Sequence, residues 1–260
     1  MTRRKHLLAG IGLAVTVAAS WAQTPQTAAA SASGKLAIVS LVGDALRVTV
    51  YRERAGSNLP SHVVDTLKMP GPALDHAVMR TVLAAAEKAR PGLQTAMLRV
   101  PAAGSAGGPH SLLEDDKVVA GHALLQGLRQ QGFTHLLAVT RLRTRNVVRL
   151  AETENIGTGM LEGMGFYIDN TIQVQRVANG ERAQGVMAPH LYVQLSLIDV
   201  GTGELAGTRR VTASSIVSAA DNPKGLDPWG ALTPEQKMRT LDRLIEANLG
   251  QPAAELMAPR

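Results

Sequence analysis

Residues 190–200 (HLYVQLSLIDV) place the tightest constraint on what this chain can fold into. They form a dense apolar run, end at the turn signal Gly201-Thr202-Gly203, and are followed by a second strand-like run over residues 204–214. A strand that returns through a short glycine-containing turn predicts an antiparallel hairpin. A hairpin late in the chain argues against a purely parallel, doubly wound sheet.

The other segments fit a mixed sheet. Residues 35–42 (KLAIVSLV) predict a strand, and residues 46–53 alternate Leu46, Val48 and Val50 against Arg47, Thr49 and Tyr51. With Gly43-Asp44 between them, the two runs predict a hairpin. Pro72 opens a helix in which Leu74, Val78, Thr81, Val82 and Ala85 recur at helical spacing, and Pro91-Gly92 stops it. Residues 93–100 predict a strand, 101–109 (PAAGSAGGP) a flexible loop, and 114–131 a second helix. Glu114, Asp115 and Asp116 stand in the first turn of that helix, where its dipole favours acids. Val118, His122, Leu125 and Leu128 form its apolar stripe. Residues 134–148 predict one long strand, 151–165 an irregular glycine-rich loop, and 166–177 another strand before the Asn179-Gly180 turn. Thr233, Pro234 and Gln236 spell a capping box with proline at the first helical position. Met238, Leu241, Leu244, Ile245 and Leu249 supply the buried face of that last helix. The expected class is α/β (α+β): a single mixed sheet with about three helices packed on it.

The N-terminus predicts export. Arg3, Arg4 and Lys5 precede an apolar stretch over residues 7–19, and Ser20-Trp21-Ala22 is a small-x-small cleavage signal. The stretch is shorter than the roughly 20 apolar residues of a membrane-spanning helix. The expected division is a signal peptide over 1–22, a disordered mature N-terminus over 23–34, one α/β domain over 35–250, and a flexible tail over 251–260. The mature protein is expected in the periplasm or secreted, with no transmembrane span. The chain has no Cys, so it has no residue for lipoprotein acylation, a disulfide or a thiolate metal site. Losing Arg3, Arg4 and Lys5 from 27 basic residues leaves 24 against 21 acidic ones, a net charge of +3. That modest charge, the export signal and an aromatic content of 3% disfavour a nucleic-acid partner.

Residues 158–165 match T-G-x-x-x-G-x-G, a phosphate-loop pattern of short-chain dehydrogenases. That chemistry needs a strand before the loop and a helix after it. Here FYIDNTIQV follows, which predicts a strand, so no dinucleotide or other cofactor is expected. Of the histidines, His62, His76, His110, His122, His135 and His190 remain after export, and none shows a zinc spacing. His122 fits a core position. His110 with Asp115 and Asp116 is the one grouping suited to acid–base or metal chemistry. Ser105 lacks the glycine pattern of a nucleophile elbow. Arg141, Arg143 and Arg145 alternate along the expected strand, which would place three guanidinium groups on one face about 7 Å apart. Guanidinium groups grip carboxylate and phosphate bidentately, so this face is a candidate for an acidic or anionic partner, the alternative being a solvated strand end with Glu152 and Glu154 as counter-charges. Trp229, the only Trp of the mature chain, is a candidate partner anchor or a plug at the core edge.

KLAIVSLV, THLLAVTRLR and LYVQLSLIDVGTGEL together resemble the envelope α/β domain of the curli-secretion lipoprotein and of penicillin-binding-protein-activator lipoproteins. Asp199, Thr202, Gly203 and Glu204 match the D-x-x-T-G-E turn of those families. The lipidated Cys is absent, and the strand over 46–53 is extra. The resemblance implies an envelope accessory domain and transfers no site residue. The expected function is that of an exported periplasmic accessory or binding protein. It would act by contact with an envelope protein or an anionic envelope component, through Arg141, Arg143, Arg145 and Trp229. The alternative is a periplasmic hydrolase using His110, Asp115 and Asp116, with or without a metal.

Overall fold

A computed structural model describes residues 34–43, 45–53, 61–69, 71–100, 112–114, 117–119, 121–150, 155–175, 180, 182–221 and 227–258. The first half of the chain contributes β1 (Lys35–Leu41), β2 (Ala45–Tyr51), β3 (His62–Lys68), α1 (Ala73–Ala89), β4 (Gln94–Leu98), β5 (Leu113–Glu114), β6 (Lys117–Val118) and α2 (Ala123–Gln130). The second half contributes β7 (His135–Arg141), β8 (Arg143–Arg145), β9 (Met160–Gln175), β10 (Arg182–Asp199), β11 (Leu205–Ser214), β12 (Val217–Ser218) and α3 (Pro234–Met257). Ten strands form one mixed sheet and β5–β6 a separate pair, so the expected class, a mixed sheet with three helices, is the observed one. The signal peptide and the N-terminal stretch over 23–33 lie outside the described residues.

The 18-residue strand β10 organises the sheet. Residues 190–192 pair with both β9 and β11, so those two strands flank β10 on opposite edges. Residues 193–198 pair with both β7 and β11. β9 and β7 therefore share one edge of β10, one beyond the other. The sheet consists of two halves joined along this strand. β4, β1 and β7 stand against its C-terminal part, and β3, β2 and β9 against its N-terminal part. The opposite edge carries β11 and then β12. Pro189, which has no N–H, sits where that edge passes from β12 to β11, and its carbonyl accepts from Ser215 N–H. A proline inside a long strand is tolerated at such a break.

This arrangement corrects the first expected hairpin. β1 and β2 do not pair: β1 lies between β4 and β7, parallel to both, while β2 lies between β3 and β9. Both edges of β1 are occupied, so β2 carries the chain on into the other half-sheet. The passage is fastened by Asp75 in the first turn of α1. Its Oδ1 accepts from Ser40 Oγ at 2.5 Å and Gly43 N–H at 3.1 Å.

Three further boundaries differ. Residues 113–118 form the small β5–β6 pair, and α2 begins only at Ala123. Gly121 has a φ of 72°, which no helix accommodates, and His122 caps the start by accepting Leu124 N–H on Nδ1. The strand expected over 134–148 breaks at Leu142, whose N–H donates to Tyr192 O while the chain turns from β10 toward β9. In compensation, β9 and β10 start earlier than expected, at Met160 and Arg182. The last helix does not end near residue 250. Ala253, Leu256 and Met257 continue the stripe of Leu241, Ile245 and Leu249 and are buried, so α3 runs on through Pro252. Its capping box forms as expected, with Thr233 Oγ1 accepting Gln236 N–H and Gln236 accepting Thr233 N–H.

α1 and α3 cover one face of the sheet, over Leu36, Ile38, Leu46, Val48, Leu137, Val139, Phe166, Leu191 and Leu195. On the other face, α2 covers Ala37, Val39, Leu136, Ala138 and Ile198. Burial on both faces explains why β10 reads as an almost continuous apolar run rather than an alternating one. It also encloses polar groups. His190 is fully buried against Tyr192, and no hydrogen-bond partner of good geometry reaches either ring nitrogen. Burial drives its pKa down to about 4, opposed only in part by the Ala188 backbone.

Two predictions follow from this packing. A Cβ on Gly165 would stand 1.8 Å from the Arg47 carbonyl oxygen on β2. Backbone cannot yield as a side-chain tip can, so Gly165→Ala should cost about 3 kcal/mol or more in urea unfolding. Gly127→Ala on α2, which meets nothing within 4 Å, should be neutral or slightly stabilising. His190 stays neutral in the fold and gains a proton more readily when unfolded. Its contribution is therefore complete above the ordinary pKa of 6.5 and is lost as the pH falls toward 4, a total of about 3 kcal/mol. The urea midpoint should drop over that interval, and by clearly less in His190→Leu.

Candidate functional site

The half-sheet β3-β2-β9 carries a polar face. Alternation along β2 puts Arg47, Thr49 and Tyr51 opposite the apolar Leu46, Val48 and Val50, which enter the core under the helices. Across the strands, Thr49 aligns with Val64 and Tyr167, and Tyr51 with His62 and Asp169. Residues 146–148 and 156–158 lie on this face and are tied to it. Tyr192 Oη accepts Val147 N–H at 2.9 Å, and buried Asn146 accepts Val148 N–H and donates to Thr158 O.

One end of the face holds a chain of polar side chains. Ser61 Oγ contacts His62 Nδ1 at 3.1 Å, and His62 Nε2 contacts Thr158 Oγ1 at 3.0 Å. Thr158 reaches Tyr167 Oη at 3.5 Å, which donates to Asp169 Oδ2 at 3.4 Å. Asp169 Oδ1 is taken by the backbone and hydroxyl of Thr171. Burial pushes the Tyr167 phenol up to about 12, and the Asp169 charge adds to this, while hydrogen bonding to Thr158 opposes it. The phenol therefore remains a donor. A nucleophilic triad needs a base whose second nitrogen is held by a carboxylate. Here that nitrogen meets a threonine hydroxyl and the carboxylate is two groups away. The chain of contacts clamps the overlying segment instead. Gly159 belongs to the clamp: its φ is 77°, and a Cβ there would come within 2.7 Å of the His62 ring.

The other end is basic. Arg47 on β2 forms an ion pair with Glu162 on β9. Arg143 lies opposite Glu162 in the β8–β9 register, and both line a cleft of about 100 Å³ with Arg47, Thr49, Val64 and Met160. Among the described residues, neither Arg143 nor Arg145 forms a salt bridge, and both are exposed. Arg141 ends β7 on the other side of the Leu142 break. Its Cγ and Cδ lie over Gly163, 3.0 Å from where a Cβ would stand. The three arginines are thus not one continuous row, because the strand expected to carry them changes partners between Arg141 and Arg143. Arg143 and Arg145 stay together and gain Arg47, which the sequence showed only as the polar side of an alternating strand.

Trp229 stands apart, in a 3-10 turn (Pro228–Ala231) whose start Asp227 caps. It is half-buried, meets Phe166 edge-on at 5.4 Å between ring centroids, and carries the Lys237 ammonium 4.0 Å above its ring. His122 caps α2 and is buried, which lowers its pKa. His110, Asp115, Asp116 and Ser105 lie outside the described residues. No group of three or more His, Asp or Glu suited to a metal occurs among the described residues. The T-G-x-x-x-G-x-G segment runs into β9, not a helix, so its glycines serve the sheet and the clamp. The D-x-x-T-G-E turn also has a local cause. Asp199 Oδ1 accepts Thr202 N–H at 2.8 Å, and Thr202 Oγ1 accepts Glu204 N–H at 3.1 Å.

No protein-family model matches the chain, and no curated protein matches it. Solved structures give weak likenesses. A PelC dodecamer from Paraburkholderia phytofirmans is 10% identical, over 88% of this chain and 90% of that one, with a TM-score of 0.36. Protein XCC0632 from Xanthomonas campestris, assigned to family model DUF330, is 11% identical over 86% and 81%, with a TM-score of 0.35. A neuraminyllactose-binding hemagglutinin homolog from Helicobacter pylori is 7% identical over 83% and 81%, with a TM-score of 0.36. None of the three is a curli-secretion lipoprotein or a penicillin-binding-protein activator. Likenesses of this size carry no assignment to the chain.

Proposed function

We propose that this chain is an exported periplasmic accessory or binding protein, and that it acts by holding an acidic envelope protein or an anionic envelope component. Export rests on residues 1–22. The contact rests on one observation: among the described residues, Arg47 and Arg143 line a cleft in which Glu162 is the one carboxylate, and Arg145 stands exposed beside them. A cleft with surplus guanidinium groups is completed by a partner's carboxylate or phosphate. Its small volume suits a group projecting from a larger partner better than a whole metabolite, because small-molecule pockets run from about 300 to 1,000 Å³. The clamp behind it holds the segment that leads into β9 and so fixes where Glu162 presents its charge. This role needs no chemistry from the site.

The test replaces exposed charge and leaves the core alone. In an Arg143→Ser/Arg145→Ser double variant, binding to poly-L-glutamate and capture of envelope components should fall at least tenfold. The unfolding free energy in urea should stay within about 0.5 kcal/mol of the parent, because both side chains are exposed. Added salt should weaken the parent's binding, since exposed charges are screened over about 8 Å at physiological ionic strength. Undiminished binding by the double variant would remove the proposal.

A further inference from the structure

A second site lies at the far edge of the other half-sheet. Ala73, His76 and Arg80 recur at spacings of three and four on α1, so they share one helix face. Met97 on the edge strand β4 faces the same side as its β1 partner Ile38, under α1, and Arg99 follows directly after the strand. Among the described residues, only β1 pairs with β4. The helix face and the strand edge enclose a pocket of about 480 Å³, completed by Met79 and Leu98. That volume falls within the range of about 300–1,000 Å³ of small-molecule sites.

The lining is divided chemically. Met79 and Met97 offer an apolar floor, and Met97 is 47% exposed although it is a large apolar side chain. Methionine is flexible and polarizable, and it adapts to chains of varied shape. His76, Arg80 and Arg99 are exposed at the rim, and among the described residues no acid lines the pocket. The acids of α1 are engaged elsewhere, Asp75 with Ser40 and Gly43, and Glu87 with Thr95. Arg80 also borders a separate groove with Asp242 and Glu246, which Arg99 does not line. The pocket also lies beyond the carboxyl end of the parallel strand β4, the end at which open α/β sheets take ligands.

We infer that this pocket binds a single-chain anionic amphiphile. Its carboxylate or phosphate head would meet Arg99 and Arg80, and its acyl tail would lie over Met97 and Met79. The inference does not rest on the basic cleft at Arg143, which belongs to the other half-sheet.

The test is calorimetric titration of the mature protein with three probes. Dodecanoate carries both head and tail, inorganic phosphate the charge alone, and dodecyl maltoside the tail alone. Dodecanoate should bind at one site, at least tenfold more tightly than either of the others. Arg80→Ser/Arg99→Ser should weaken it at least tenfold. Met97→Asp, on an exposed position that asks little of the core, should do the same, and Arg182→Ser, at an exposed arginine outside both sites, should not. Equal binding of dodecyl maltoside would make the pocket a plain apolar contact, and equal binding of phosphate a plain anion contact. If Met97 is shielded from peroxide oxidation as protein concentration rises, the occupant is a second copy of the chain. Any of these results, or no binding at all, overturns the inference.

Discussion

The hydrogen-bond ladder along β10 is the interaction on which the rest of the fold depends. One strand of 18 residues supports β9 and β7 in succession on one edge and β12 and β11 on the other. A buried backbone donor or acceptor left unpaired costs about as much as a lost hydrogen bond. Each stretch of β10 must therefore find partners, and it finds different ones along its length. The two half-sheets exist because no partner strand is long enough to accompany β10 throughout. For the same reason the chain leaves β10 at the end of β7 and rejoins it at β9.

Polar residues concentrate where the halves meet and on the open face beyond. Ser40 and Asp75 fasten the passage from β1 to β2 beneath α1, and Arg47 and Glu162 pair across β2 and β9. Tyr192, Asn146, His62 and Thr158 hold down residues 146–148 and 156–158. Most of these groups are satisfied by one another, which is what burial requires of them. His190 is the exception, enclosed among apolar neighbours, and it ties the fold to neutral pH. The basic rim near Arg143 differs from all of these, because its guanidinium groups outnumber the carboxylate they meet.

Several parts were legible before any coordinates. The hairpin of β10 and β11 follows from an apolar run, an Asx-capped turn and a return run, all local features. The capping box of α3 is written in Thr233, Pro234 and Gln236. The failure of the phosphate-loop pattern was readable from the strand-like residues after it. The basic site was only half legible. Arg143 and Arg145 were visible as alternating residues, but Arg47 and Glu162 reach them from strands nearly a hundred residues upstream and some twenty downstream. Their juxtaposition is a property of strand pairing, which periodicity does not reveal. The chain of His62, Thr158, Tyr167 and Asp169 was invisible for the same reason.

The sequence by itself determined the elements whose signals are local: the class, the three helices and most strands of the described residues. Tertiary structure decided which edges those strands share. It turned the expected hairpin of β1 and β2 into a passage between half-sheets, divided the expected 134–148 strand at Leu142, and kept α3 helical to Met257. The physical reason is that a strand's side chains declare which faces it buries, while its backbone accepts any neighbour. Only the competition among all the strands for the edges of β10 settles which neighbour that is.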